Sequence, residues 1–211
     1  MKVSISCYSY LVYIMKLLVI LLIISLNSCT KDFSKNSIQT ITDFQAAKID
    51  GNHNIYISSE NFKLINNIMS EDCESWALDL NFNNPIRNSI KNLSDKMFDS
   101  YSISKNKLSP DELENSNFVS QISYESFSGI SNFKTLRNTG IYEISLKLKV
   151  KVENSSKSIV NEISSNMNWE KNIFFDCNLH EGAVNSGQKA LSNLMKKVYE
   201  STYESIYSIT R

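Results

Sequence analysis

The feature that most constrains the fold is a strict alternation between residues 141 and 153, which read IYEISLKLKVKVE. Every second position is apolar: Tyr142, Ile144, Leu146, Leu148, Val150 and Val152. The lysines Lys147, Lys149 and Lys151 occupy intervening positions. Because successive side chains of a strand point to opposite faces, the pattern predicts a strand with one buried face and one solvated face. An antiparallel sheet is the expected setting.

Neighbouring segments extend this sheet. Residues 118–127 are strand-like, and the turn at residues 154–157 leads into apolar residues at even spacings, which are Ile159, Ile163, Met167 and Trp169. We therefore predict an antiparallel hairpin over residues 141–169. Shorter apolar runs at 55–57, 64–69 and 76–80 precede this region.

Two segments have helical spacing. The first is predicted from Asn84-Pro85, with Asn84 as the N-cap, to about residue 100, and one of its faces carries Ile86, Ile90, Leu93 and Met97. The second runs from Gly182 to about Ser208. Residues 104–117 are polar and predict a surface loop. The fold class is therefore α+β: an antiparallel β-sheet with two amphipathic helices packed on one face.

The N-terminal region predicts an export signal. Met15-Lys16 precedes a ten-residue, mostly apolar run, 17–26, and Leu26-Asn27-Ser28-Cys29 resembles the lipobox of bacterial lipoproteins. Residues 1–28 are thus a predicted lipoprotein signal peptide, with 1–14 upstream of a start at Met15, and Cys29 is the predicted lipidation site. The alternative is an uncleaved transmembrane anchor, in which the charge of Lys16 would cost about 2.5–3.5 kcal/mol.

Removing residues 1–28 of 211 leaves 183, enough for one domain. We predict a flexible tether over residues 29–53 and a single α+β domain over 54–211. The removed lysines, Lys2 and Lys16, leave 20 basic side chains against 22 acidic ones. This balance, without a dense basic cluster, excludes nucleic acid as the expected partner. Thr30 after the lipid cysteine is not the aspartate of an inner-membrane retention signal, so the expected location is the outer membrane, on its periplasmic face.

The cysteines and histidines offer little chemistry. Cys73 and Cys177 form either a disulfide or two buried thiols, and both alternatives stay open. Cys177 and His180 have a metal-like spacing, but zinc would need further ligands such as Cys73, His53 or Glu181. We expect neither a metal nor a cofactor.

Other polar and aromatic groups have ordinary explanations. Carboxylates at Asp72, Glu74, Glu170 and Asp176 could approach one another, but no catalytic motif accompanies them, and we expect no enzyme. The sheet face that carries Lys147, Lys149 and Lys151, which we call the lysine face, could bind anionic headgroups or glycans. A solvated sheet face is the favoured interpretation. The tyrosines Tyr199, Tyr203 and Tyr207 recur every four residues and indicate partial core or a partner surface.

The order of elements resembles small outer-membrane lipoproteins of the YajG type, and more distantly lipopolysaccharide-assembly and transporter-auxiliary lipoproteins. Residues 86–98, 118–169 and 182–206 carry the resemblance as a pattern of elements. It implies a non-catalytic envelope assembly or transport accessory that is bound to the membrane through its lipid and to an envelope protein. The alternative is a lipoprotein that binds lipid or glycan.

Overall fold

The structure is a computed structural model that describes residues 38–60, 62–69, 80–172 and 180–211. The predicted signal peptide, Cys29, Cys73 and Cys177 lie outside these residues. So does the apolar run at 76–80, except for Leu80, which is buried.

In the described part of the chain, six strands form one sheet. Their bounds are β1 Ile49–Ile57, β2 Lys63–Met69, β3 Phe98–Ser104, β4 Ser120–Leu136, β5 Thr139–Glu153 and β6 Ser158–Asn172. The order across the sheet is β3-β1-β4-β5-β6, and β2 pairs with β4. The sheet is largely antiparallel, and the α+β class is confirmed.

The hairpins of β4, β5 and β6 form the antiparallel part. The register of β5 with β6 runs from Thr139 opposite Asn172 to Glu153 opposite Ser158, as the alternation predicts. In the connecting turn, the Asn154 side-chain oxygen accepts the backbone N–H of Lys157 at 2.7 Å. This local cap explains why a polar turn at 154–157 could be predicted from sequence.

The other three strands pair in parallel, which the sequence analysis did not predict. β1 lies between β3 and β4 and is parallel to both, and β2 is parallel to the later part of β4. β1 and β2 thus follow one another along the same edge of β4. Parallel neighbours require a crossover connection, and the helix before β3 supplies it.

Helix α1, Asn83–Met97, differs from its prediction at both ends. Phe82, not Asn84, is the N-cap residue, and it has no side-chain cap. The Asn83 side-chain oxygen instead accepts the backbone N–H of Phe62 at 2.6 Å. This hydrogen bond joins the first residue of α1 to the residue before β2. The helix ends at Met97 because β3 begins at the next residue. Its predicted apolar face, Ile86, Ile90, Leu93 and Met97, is buried as expected.

Helix α3, His180–Thr210, lies on the same face of the sheet as α1 and covers β5 and β6. Its buried side is formed by Ala190, Leu191, Leu194, Met195 and Val198. At its first turn, a Cβ added to Gly182 would lie 2.3 Å from Cδ2 of Trp169, so the indole packs directly on the helix backbone. Two helices on one apolar face were correctly predicted.

A short helix, α2 Pro110–Glu114, lies within the predicted loop at 104–117. Ser109 and Glu112 form a capping box, in which each side chain accepts the other residue's backbone N–H. Leu113 is buried on this helix. The signal Ser-x-x-Glu was present in the sequence and was missed.

The predicted tether overlaps the folded body. Ile38 is buried, and Ile41 and Phe44 pack against the core. The Ile41 N–H donates to Ser89 Oγ at 2.8 Å. The predicted boundary at residue 54 lies inside β1, which begins at Ile49. We call residues 38–48 the N-terminal strap; it lies along α1 and α3.

Candidate functional site

A groove of about 350 Å³ lies among the described residues near the C-terminal end of α3. Its walls are the start of β1, the residue before β4 and one side of α3. We call it the tyrosine groove, lined by Lys48, Ile49, Asp50, Val119, Tyr203, Ile206, Tyr207 and Thr210. This volume lies in the range of small-ligand sites.

Helical spacing places the tyrosines on one side of α3. Tyr203 and Tyr207 are 41% and 50% exposed, whereas Tyr199 is half-buried and its hydroxyl accepts the Ala47 N–H at 3.0 Å. The rings of Tyr199 and Tyr203 are 6.1 Å apart. The Arg211 guanidinium lies 3.8 Å from the centre of the Tyr207 ring. The predicted row therefore divides into one tyrosine that holds the strap and two that face solvent.

The opposite wall is held by backbone contacts. Lys48 Nζ donates to the carbonyls of Asp95 and Phe98 at 3.0 and 2.7 Å. Gly51 has a φ of 105°, and a Cβ there would lie 2.7 Å from Val119 Cγ2. Only glycine has ready access to this conformation, and only glycine leaves room for Val119. The groove is thus preformed on this side.

His53 lies behind this wall and not in the groove. It is fully buried, with Nδ1 2.9 Å from Ser120 Oγ and Nε2 3.2 Å from the Asp50 carbonyl oxygen. Burial lowers the pKa of His53, and the hydrogen bond to Asp50 offsets this only in part. The neutral ring can accept from Ser120 and donate to Asp50, so both nitrogens are satisfied. Neither contact is a metal ligand.

The lysine face is charge-balanced. Lys149 pairs with Glu125 at 3.0 Å, Lys147 lies 3.6 Å from Glu162, and Lys151 pairs with Glu153. Lys107 from the loop before α2 reaches both Glu125 and Glu153. The favoured interpretation, a solvated face whose lysines have local partners, fits these pairs better than a headgroup site.

Glu153 shows how this face is organised. Burial would raise the pKa of its carboxyl, but Lys151, Gln121 and Lys107 together lower it below the ordinary value. Gln121 also exchanges hydrogen bonds with the backbone of Leu108. The charges therefore hold the loop of α2 on the sheet, which is a structural role.

A second opening lies between α1 and β4 and holds about 30 Å³. Ile86, Ile90, Tyr124, Phe127 and Leu148 are among its lining residues. That volume suits about one water molecule. The space between sheet and α1 at this point does not hold a larger ligand.

The remaining sequence-predicted positions are not brought together in the described part of the chain. Glu170 is exposed on β6, and Asp72, Glu74 and Asp176 lie outside the described residues, as do both cysteines and the His180 side chain. Within the described ranges, no three of the His, Cys, Asp and Glu residues could hold a metal ion. In the same ranges no helix is long and apolar enough to cross a membrane.

The tyrosines of the groove could be identified from sequence, but the residues of its other wall could not. Lys48, Asp50 and Val119 belong to segments without sustained periodicity, and they meet only because β1 pairs with β4. Gly51 was the one local signal, since a glycine inside a strand often marks a close approach.

Comparisons with known proteins give distant likenesses. No family model matches the chain, and no curated protein matches it. Among solved structures, a "putative neuraminyllactose-binding hemagglutinin homolog" from Helicobacter pylori has 12% identity and a TM-score of 0.37, over 75% of this chain and 89% of that chain. A Neisseria meningitidis lipoprotein has 10% identity and a TM-score of 0.27, over 63% and 98%. Likenesses at this level carry no argument about function.

Proposed function

We propose that the protein is a non-catalytic lipoprotein of the bacterial outer membrane, facing the periplasm, and that it docks an envelope protein in the tyrosine groove. The observation that carries the docking proposal is the groove itself: two exposed tyrosines opposite a backbone wall held by Lys48 and Gly51. The lipid anchor is inferred from Cys29 and the apolar run before it.

The chemistry of the groove suits a protein partner. Tyrosine supplies a large apolar surface with a polar tip at low conformational cost, and it is enriched at interfaces. Arg211 lies on the Tyr207 ring and Asp50 lines the opposite wall, so the groove carries charges of both signs. Such groups fix the orientation of a partner more than they add affinity.

A non-catalytic role agrees with the position of His53. A general base must reach the proton that it removes, and this ring is buried with both nitrogens engaged. The charged groups of the sheet face are likewise engaged with one another.

Glycan or lipid binding is the second candidate function, and the volume of the groove supports it. A sugar ring could stack on Tyr203 or Tyr207 while Asp50 and Thr210 bind its hydroxyls. The available space of about 350 Å³ is at the lower end of the range for small ligands, which suits one or two sugar rings better than an acyl chain.

Site-specific photocrosslinking in intact cells tests the docking proposal. A photoreactive phenylalanine derivative replaces Tyr207, and the control places it at Ile65, which is 58% exposed on the opposite face of the sheet. We expect one abundant envelope protein to be captured from position 207 and not from position 65. A Cys29→Ala variant should lose most of this product, because the protein then leaves the membrane.

Two results would contradict the proposal. Capture of the same protein from both positions would place the interface elsewhere. Absence of any protein product from position 207, together with a sugar or lipid that copurifies with wild type but not with a Tyr203→Ala, Tyr207→Ala variant, would replace protein docking by ligand binding.

A further inference from the structure

The strap determines where the predicted lipid-bearing segment joins the body. Ile38 lies under α3, where a Cβ added to Gly187 would be 2.8 Å from Ile38 Cδ1. Gln39 and Gln188 exchange two hydrogen bonds, between the Gln39 backbone and the Gln188 side chain, at 2.8 and 3.2 Å. From there the strap runs toward Tyr199, which binds Ala47. The chain therefore enters the body near the N-terminal end of α3.

That end of α3 coincides with one end of the sheet. Gly182 lies on Trp169, which is opposite Tyr142 near the start of β5. At the other end, Asn154 donates to the Ile209 carbonyl oxygen at 2.9 Å. The turn between β4 and β5 thus lies beside the start of α3. We call residues 136–139 the hairpin tip; it is roughly 20 Å from Ile38 by strand and helix rise.

Chain length limits how far a lipid on Cys29 could be from this end. Residues 29–37 precede the strap, and nine residues span at most about 30 Å. The strap runs away from the hairpin tip, so its first residue, Ile38, lies at the end of the strap that is nearer to the tip. A bilayer that holds Cys29 is then within reach of the tip, whereas the turn at 154–157 lies at the far end of 15-residue strands.

The hairpin tip has the chemistry of a membrane contact. Leu136 is 65% exposed, the highest value among the exposed large apolar side chains of the described residues. Arg137 follows at a φ of 54°, and no described residue is hydrogen-bonded or ion-paired to its guanidinium group. Lys171 is exposed on the neighbouring strand, opposite Gly140. An apolar side chain beside cations suits the boundary between acyl chains and anionic headgroups.

We propose that the hairpin tip contacts an anionic lipid surface, with Leu136 in the interface and Arg137 at the headgroups. The proposal rests on lipidation of Cys29, which keeps the tip near the bilayer so that a weak contact suffices. The contact would orient the body with the tyrosine groove facing away from the membrane.

Tryptophan fluorescence of the mature protein, purified from bacteria that carry out lipidation and placed in vesicles, tests this contact. The probe is Leu136→Trp, and the matched control is Val160→Trp. Val160 is 52% exposed and lies opposite Lys151, near the start of β6 and at the end of the sheet away from the hairpin tip. Wild type corrects for Trp76 and Trp169. In phosphatidylglycerol vesicles with lipids brominated near the headgroup, we expect a blue shift and strong quenching for position 136 only.

Flotation of the same vesicles separates the two proposals. If the protein floats and positions 136 and 160 are quenched equally, the tip contact is overturned while the anchor stands. If it does not float, lipidation fails and the tip proposal fails with it. Arg137→Glu, tested within Leu136→Trp, should reduce the quenching in phosphatidylglycerol but not in phosphatidylcholine vesicles. Unchanged quenching in both would overturn the role of the cation.

Discussion

At the scale of single residues, His53 makes the stability of the fold depend on pH. Its pKa is lowered from 6.5 by burial, so the folded state binds a proton less readily than the unfolded state. The free energy of unfolding is therefore highest above pH 6.5 and falls as the pH drops below it. The slope can approach 1.4 kcal/mol per pH unit until the folded-state pKa is reached.

Urea unfolding of wild type and His53→Gln, at pH 7.5 and at pH 5.5, measures this effect. We expect the variant to be less stable at pH 7.5, because it loses the packing of the ring on Phe98 at 4.6 Å. Its stability should change less between the two pH values than that of wild type. An equal loss in both proteins would assign the pH dependence to other groups.

His53 also shows a limit of sequence reading. One histidine among polar residues was weighed as a metal ligand, and nothing in its neighbourhood indicated burial. Its partner Ser120 is 67 residues away in the chain. The pairing of β1 with β4 brings the two together, and a local pattern cannot encode that.

At the scale of elements, the parts predicted from sequence are those with a local period. β5 and β6 carry apolar residues at every second position, and α1 and α3 carry them every three or four positions. Their buried faces could therefore be identified from sequence. The parallel pairing of β1, β2 and β3 depends on partners far apart in the chain and was missed. The strap was missed because its apolar residues Ile38, Ile41 and Phe44 are separated by polar ones.

The sheet topology is compatible with the disulfide between Cys73 and Cys177, which remains a prediction. β2 and β6 run in the same direction, and Met69 and Glu170 are level with one another through Lys134 and Ile141. Three strand spacings separate them, roughly 14 Å. The residues from there to each cysteine can span that gap, since an extended chain covers about 3.3 Å per residue.

Mass mapping of protein isolated from the periplasmic side, without reduction, should find the peptides of Cys73 and Cys177 linked. A Cys73→Ser, Cys177→Ser variant should then unfold at lower urea, by an order of about 4 kcal/mol in the chain-entropy model. Two cysteines that alkylate freely in the native sample would exclude the bridge.

At the scale of the whole molecule, the body has two different ends. One end carries the entry of the strap and the hairpin tip, and the other carries the tyrosine groove beside the end of α3. The strap connects them along the helices, through Gln188 at one end and Tyr199 toward the other. The N-terminal strap, which was predicted to be part of a flexible tether, thus contributes to the core and, through Lys48, to one wall of the groove.

Truncation distinguishes a passive tether from an integral strap. A variant that starts at residue 38 should unfold at the same temperature as the mature protein. A variant that starts at residue 54 loses three apolar side chains and the first five residues of β1, including the pairing of His53 with Tyr101. Fully burying one large apolar side chain is worth about 1.5–3 kcal/mol. The loss of the buried Ile38, together with the partly buried Ile41 and Phe44 and the β1 pairing, therefore removes a large part of the roughly 5–15 kcal/mol that stabilises a typical domain. We therefore expect the shorter protein to be unfolded or insoluble, as measured by circular dichroism and thermal melting. If both variants melt at the same temperature, the strap does not stabilise the fold and residues 38–53 are a tether after all.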